Sequence, residues 1–381
     1  MCKSKKFSKL FSLGNLYIST FVEEKKENIG KAPLELIYCD NCTLVQLKHN
    51  VSQELMYSGN YWYQSHLNPV IVKDLKDIVE KAIKYQKEGL WIDIGANDGT
   101  LLGFVPKSFH RLGVEPAKNL TKELSKNCDG YFVKFWEEIN YQDTLAKVIT
   151  AIGMFYDSPD PNIFIANVKK HLADDGLFIA QLESAKTVLK ENDVSNICNE
   201  HLEYYSYKSL KYLFENNGLE IFKVEENEIN GGSYRLYARH FKVGSINYPE
   251  DITKKSFIDF YKRVQKNKEN CLMFIKKLKR QKKIICGYGA STRGNTILQW
   301  YKLNKKHITA IAEIHPDKIN KLTVGTEIPI IKEEHAKEFC DYFLVLPFGF
   351  RDYFLNKNQD FINKGGRFIF TTPVFQVWPN K

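Results

Sequence analysis

The 381-residue chain contains no run of eighteen apolar residues, and its opening stretch MCKSKKFSKL lacks the apolar core and small-residue cleavage site of a secretory leader. These absences argue against a helical membrane protein and predict a cytoplasmic one. Short repeats and low-complexity tracts are also missing, which removes solenoids and disordered tails from consideration. Of the eight cysteines only Cys39 and Cys42 are closely spaced, so a disulfide framework is not expected, and reduced thiols or a metal are. The net charge of +10 lacks a focus. Its densest run, KKLKRQKK at 276–283, follows apolar positions Phe257, Tyr261, Val264, Leu272, Ile275 and Leu278 at helical spacing, and reads as a solvated helix face rather than a nucleic-acid surface. What remains is a globular chain long enough for two or three domains, with 43% apolar and 13% aromatic residues to fill their cores.

The most informative segment is WIDIGANDGTLL, residues 91–102. Trp91, Ile92 and Ile94 predict a buried strand, Gly95 to Gly99 a turn that a ligand can approach closely, and Thr100-Leu101-Leu102 the start of a helix. About twenty residues on, RLGVEPA predicts a second strand closed by Glu115, an acidic group placed to take both hydroxyls of a ribose. The glycine spacing departs from GxGxxG, which favours S-adenosylmethionine over NAD. Asp93, Gly95, Asn97, Asp98 and Glu115 are the expected cofactor residues.

The fold class follows as α/β, in four regions: a small cysteine-bearing segment over 1–50, a mainly helical connector over 51–88, alternating strands and helices over 89–245, and a long helix leading into a second α/β unit over 250–381. That second unit opens on KKIICGYGASTRGNTILQW, again a strand, a glycine turn and a helix, and continues with the short apolar runs ITAIAEI, YFLVLPF and RFIFTTP. Two Rossmann-like units offer two ligand sites and a cleft between them. In the first segment Cys39 and Cys42 form a CxxC knuckle, with Cys2 as a third zinc ligand. Zinc takes four: His49 is one candidate, and a matching first knuckle would need a cysteine three positions before Cys2, ahead of Met1.

The chemistry is expected in NICNEHLEYYS, residues 196–206, at the cofactor-side rim of the first unit. Glu200 stands beside His201, with Tyr204 and Tyr205 one helical turn on. A histidine is the default general base near neutral pH, and a neighbouring carboxylate or phenol can orient it. The cluster YSGNYWYQS at 57–65 adds Tyr61 and Tyr63, INGGSYRLYARH at 229–240 adds Arg235, and the second glycine turn adds Arg293 and Asn295. Such groups suit a polyhydroxylated, anionic ligand.

In order along the chain, CDNCTLVQL, YWYQS, DIGANDGTLL, NEHLEYYS, NGGSYR and GYGASTRGNT resemble the S-adenosylmethionine-dependent sugar C-methyltransferases that act on dTDP-linked keto-deoxysugars, from about residue 34 to 375. The resemblance implies a small zinc-binding domain, a class I methyltransferase domain and a C-terminal Rossmann-like domain that helps to hold the nucleotide sugar. It also implies His201 as catalytic base, Glu200 as its neighbouring carboxylate, Tyr63 as an active-site tyrosine, and Asp93, Gly95 and Glu115 as cofactor contacts. One departure stands out. Where the family has Tyr-His-Glu-His, this chain has Cys198-Asn199-Glu200-His201. The expected reaction is methyl transfer to a carbon next to a ketone of a nucleotide-linked sugar, with no nucleic-acid or membrane partner. The alternatives are an O- or N-methyltransferase, an NAD-linked oxidoreductase using Gly287, Gly289 and Gly294 with Glu313 on the ribose, and a non-catalytic binding protein.

Overall fold

A computed structural model describes residues 1–381 except 24–28, 58–60, 142, 348, 350 and 381. Part of the tyrosine-rich cluster at 57–65 therefore lies outside the described residues. The centre of the molecule is a seven-stranded sheet in the order Leu219–Asn227, Ser233–His240, Leu172–Glu183, Ala146–Ile152, Gly89–Ile94, Phe109–Val114, Gly130–Phe132. Six strands run in one direction, and Ser233–His240 alone is antiparallel to both its neighbours. Residues 90–94 are all buried, as a strand covered by helices on both faces must be. Strand order reverses beside Gly89–Ile94, and ligands of such sheets bind at the carboxyl ends of the strands next to that reversal.

The C-terminal unit repeats the plan with six strands in the order Ile330–Lys332, Ile311–Glu313, Ile285–Tyr288, Tyr342–Val345, Arg367–Phe370, Gln376–Trp378, only the last antiparallel. The long helix Lys254–Arg280 precedes it, capped by the Thr253 hydroxyl. Its buried stripe is Phe257, Phe260, Val264, Cys271, Ile275 and Leu278. The sequence pattern had placed Tyr261 and Leu272 there; both are only partly buried, and Tyr261 stacks on Phe11 at 4.5 Å between ring centroids.

The N-terminal segment joins the two units. Phe7–Tyr17, Lys31–Cys39 and Val45–Leu47 form an antiparallel sheet whose fourth strand, Glu203–Tyr204, comes from the methyltransferase-like unit. Phe21–Val22 pairs instead with Leu322–Thr323 of the C-terminal unit. Among the described residues no helix is long and apolar enough to cross a membrane.

Candidate active site

The first glycine turn is built on backbone that few side chains tolerate. Gly95 and Asn97 have φ of 68° and 53°, and a Cβ at Gly95 would stand 2.7 Å from Met154 Cγ. The Asn97 N–H donates to Glu115 Oε2 and the Ala117 N–H to Oε1, both at 2.8 Å, so the carboxylate that closes the second strand also fixes the turn of the first. Gly95, Asn97 and Glu115 border a cavity of about 110 Å³ together with Tyr61, Tyr63 and Trp136. One atom there is orphaned: Asp157 Oδ1 is buried without a partner among the described residues.

A second cavity, about 550 Å³, opens between the N-terminal segment, the connector and the C-terminal unit. Its floor is the second glycine turn, Gly289 to Thr292, and its walls include Trp62, Glu313, Lys318 and Lys357. The construction mirrors the first turn. Glu313 Oε2 accepts from the Ala290 N–H at 2.7 Å, and Oε1 from the N–H groups of Ile314 and His315. Tyr61 and Tyr63 border both cavities, and Glu200 borders the larger.

Behind Glu200 lies His201. Its Nδ1 meets Asn196 Oδ1 at 3.1 Å and its ring packs against Tyr156 with centroids 4.5 Å apart. With the carboxamide oxygen accepting, the proton sits on Nδ1 and the lone pair on Nε2. Burial, reinforced by the charge of Arg293, holds the imidazole down at about 3, so it is neutral at physiological pH. Burial has the opposite effect on Glu200, raised to about 7 against the hydrogen bond from Thr292 and the charge of Arg293. Adjacent groups thus have affinities for a proton opposite to their ordinary order, a pattern of paired acid and base sites. The Cys198 thiol completes this corner, with ligand atoms of Cys198, Glu200 and His201 all within 4.8 Å of one another.

Comparison with known proteins now decides the class. Three family models tile the chain: "Putative zinc binding domain" over residues 1–57, "Methyltransferase domain" over 63–224 and "C-methyltransferase C-terminal domain" over 228–373. The chain belongs to the S-adenosylmethionine-dependent C-methyltransferases. The C-methyltransferase NovU of Streptomyces niveus is 26% identical over 367 residues, covering 91% of this chain and 87% of its own. Among solved structures, an S-adenosylmethionine-dependent methyltransferase of Clostridium acetobutylicum is 13% identical, matching 44% of this chain and 92% of its own at a TM-score of 0.37. Magnesium protoporphyrin IX methyltransferase of Synechocystis with bound S-adenosylmethionine is 10% identical, over 45% and 79%, at 0.36.

S-adenosylmethionine is therefore the cofactor of this C-methyltransferase, and the smaller cavity fits it in kind: a pinned carboxylate, a tight glycine turn and an orphaned buried oxygen. Its volume of about 110 Å³ lies below the roughly 300–1,000 Å³ of ligand-filled sites, so the whole cofactor needs space beyond it. Two expected contacts do not border it. Asp93 lies behind the turn, accepting from the Thr150 hydroxyl at 2.6 Å with its carboxyl raised by burial to about 7. Asp98 is taken by Thr100 and by the N–H and ring of His66.

The basic and aromatic residues expected at the substrate divide more sharply. Tyr61 is in place. Arg235 is fully buried, bound to Asp74 and Asp77 at 2.6 Å each and to Gln181 at 2.7 Å, and it ties the connector helix Pro69–Ala82 to the central sheet. Arg293 bonds to Glu183 and Asp193, while Asn295 donates to the Thr20 carbonyl at 2.9 Å. Tyr204 and Tyr205 lie in extended chain, not on the helical turn the sequence suggested, because Glu203–Tyr204 pairs with Val45–Leu47. Successive side chains then point to opposite sides: Tyr204 enters the core shared with the N-terminal sheet, and Tyr205 stacks on Phe155 in the central one. Sequence reasoning missed Asp157 and Trp136 at the smaller cavity and Lys318 at the larger. Their one signal is position, in loops that follow the carboxyl ends of parallel strands.

In the N-terminal segment Cys2, Cys39 and Cys42 converge, with Cys2 and Cys39 sulfurs 3.5 Å apart. Three soft donors in this geometry fit a structural zinc ion, held by these thiolates and a fourth ligand. His49 is exposed and outside the cluster.

Proposed function

We propose that this C-methyltransferase acts on a carbon next to a ketone of a nucleotide-linked deoxysugar, of the dTDP type, with His201 as general base. The carrying observation is that the two cavities share the wall of Tyr61 and Tyr63, with the cofactor turn on one side and Glu200 on the other. A cavity of about 550 Å³ over a helix N-terminus, walled by Lys318 and Lys357, suits a large anionic ligand. Bound cofactor supplies a methyl group already activated by its sulfonium. The protein's share is proton management and alignment. Neutral His201 takes the α-proton on Nε2, the electron pair of that C–H bond passes into the enolate, and the protonated Glu200 donates a hydrogen bond to the developing oxyanion. S-adenosylmethionine held beside Gly95, Asn97 and Glu115 would supply the electrophilic methyl group for that carbon, and His201 returns its proton to solvent. His201 borders neither cavity but stands behind Glu200, which borders the larger, so a shift of this corner on substrate binding, with the Asn196 contact to Nδ1 kept, belongs to the proposal. The membership of the first segment in a soluble, cytoplasmic enzyme and the regional boundaries near 50, 88 and 245 are part of the same reading.

The test is mass spectrometry of dTDP-4-keto-deoxysugars incubated with protein and S-adenosylmethionine. A product heavier by one methylene, with the label on carbon by NMR, supports the reading. Methylation on oxygen or nitrogen, or none across the panel, overturns it.

A further inference from the structure

We propose that Thr292 and Arg293 of the C-terminal unit are positioning residues, which hold Glu200 and His201 in working order and make the second glycine turn part of the proton-transfer machinery. The inference rests on the assignment of His201 and Glu200 as the acid–base pair. Thr292 and Arg293 open the nine-residue helix Thr292–Trp300, directly after the turn that floors the larger cavity. From there the two side chains reach into the other unit. The Thr292 hydroxyl donates to Glu200 Oε2 at 3.1 Å. The Arg293 guanidinium donates from Nη1 to Glu183 Oε1 at 2.6 Å and from Nη2 to Asp193, both carboxylates being more than nine-tenths buried.

Asp193 leads straight to the base. Its Oδ1 accepts from the N–H and the hydroxyl of Ser195, fixing the short turn Val194–Asn196. Asn196, the last residue of that turn, presents the carboxamide oxygen that meets His201 Nδ1. One helix start therefore controls both partners: Thr292 through Glu200, and Arg293 through Asp193, the turn and Asn196. A planar fork is the group for such a task, since it fixes two carboxylates in orientation as well as in distance. A ligand lying on Gly289 to Thr292 bears on the same helix start, so its binding can be spent on aligning the base loop rather than on affinity alone. This also replaces the expectation that Arg293 touches substrate.

Thr292→Val keeps shape and removes one donor, and Arg293→Lys keeps charge and removes the fork; Arg293→Ala, which strands two buried carboxylates, is the variant at risk of not folding. Calorimetry with S-adenosylhomocysteine first establishes that each variant binds cofactor within about twofold of the native protein. With the sugar that the panel identifies, turnover should drop about tenfold in both, at KM changed less than about threefold. The Thr292 hydrogen bond favours ionised Glu200, so in Thr292→Val any fall of activity with rising pH should move to higher pH. The groups facing Glu200 in that comparison are Thr292, Arg293 and Lys318 from the C-terminal unit, Tyr57 and Tyr61 from the connector, and Asp157 and Cys198 from the methyltransferase-like unit. A substrate-free readout separates this inference from the reaction itself: in protein labelled with ¹⁵N-histidine, assigned by His201→Asn, the native ring should show one neutral tautomer protonated on Nδ1, and Arg293→Lys a mixture. A rise in KM at unchanged turnover would make these residues substrate ligands and overturn the proposal. So would a native pH profile together with a native His201 tautomer in both variants.

Discussion

His201 and Glu200 are ordinary residues made unusual by burial. A histidine in water would lose activity as pH falls through its ordinary range near 6.5, but this imidazole, held at about 3, stays neutral well below that, while the same shift makes it a weaker base. Glu200, raised to about 7, surrenders its proton near neutrality. The sign follows: kcat/KM should be flat from mildly acidic pH up to neutrality and fall above about 7, and Glu200→Gln should abolish the fall. A limb near 6.5 that rises with pH would instead show a water-exposed base. His201→Asn keeps size and some hydrogen bonding while removing the titratable group. It should leave S-adenosylhomocysteine affinity within about threefold and lower turnover by roughly a hundredfold or more. Exchange of the substrate α-proton with deuterated solvent should vanish with it. Survival of both turnover and exchange would place the base elsewhere.

At the level of elements, both glycine turns use one device: an acidic residue ending the second strand accepts a backbone N–H from the turn after the first. Glu115 is thereby pre-oriented before any ribose arrives, so Glu115→Ala should weaken S-adenosylhomocysteine binding by loosening the turn as well as by removing an acceptor. Unchanged affinity by calorimetry would remove Glu115 from the site. The connector is fastened to the same turn. Asn97 accepts from the Ser65 N–H and donates to the Tyr63 carbonyl, which sets where Tyr63 stands between the cavities. Further along, Arg235 holds the helix Pro69–Ala82 through Asp74 and Asp77. Arg235→Met leaves Asp74 buried with the Gln181 amide but no counter-charge, and breaking such a buried pair costs about 3–5 kcal/mol. The urea midpoint should fall accordingly while turnover per folded molecule stays within about threefold. A large loss of turnover with an unmoved midpoint would return Arg235 to the substrate.

Across the whole molecule, the N-terminal sheet is the joint on which the active site depends. Its strand Val45–Leu47 follows the cysteine knuckle and pairs with Glu203–Tyr204, two residues beyond His201. A zinc ion on Cys2, Cys39 and Cys42 would stabilise that joint, so purified protein should contain close to one zinc per chain by elemental analysis, and stripping it with a chelator should lower both the melting temperature and turnover. Protein that holds no zinc, or that melts and turns over unchanged when stripped, contradicts a structural metal. Much of this architecture was legible in the sequence because it is local. The strand, glycine turn and helix at 91–102 and again at 282–300, the acidic strand ends at Glu115 and Glu313, and the cysteine knuckle are each set by neighbours within about twenty-five residues, where periodicity and turn chemistry act directly. The identity of side chains at a distance was not. Arg235, Arg293 and Asn295 look alike in sequence, three polar groups near glycine turns, yet all three are engaged inside the protein, because the groups that bond them most closely, Asp74 and Asp77, Glu183 and Asp193, and the Thr20 carbonyl, come from segments about ninety residues away or more. Tyr204 and Tyr205 went to opposite cores because a strand from the other end of the chain claimed them. Local pattern determined the elements and the class of cofactor; which buried charges meet, and so which way His201 and Glu200 are pushed, was decided only when the three parts closed on one another and excluded water.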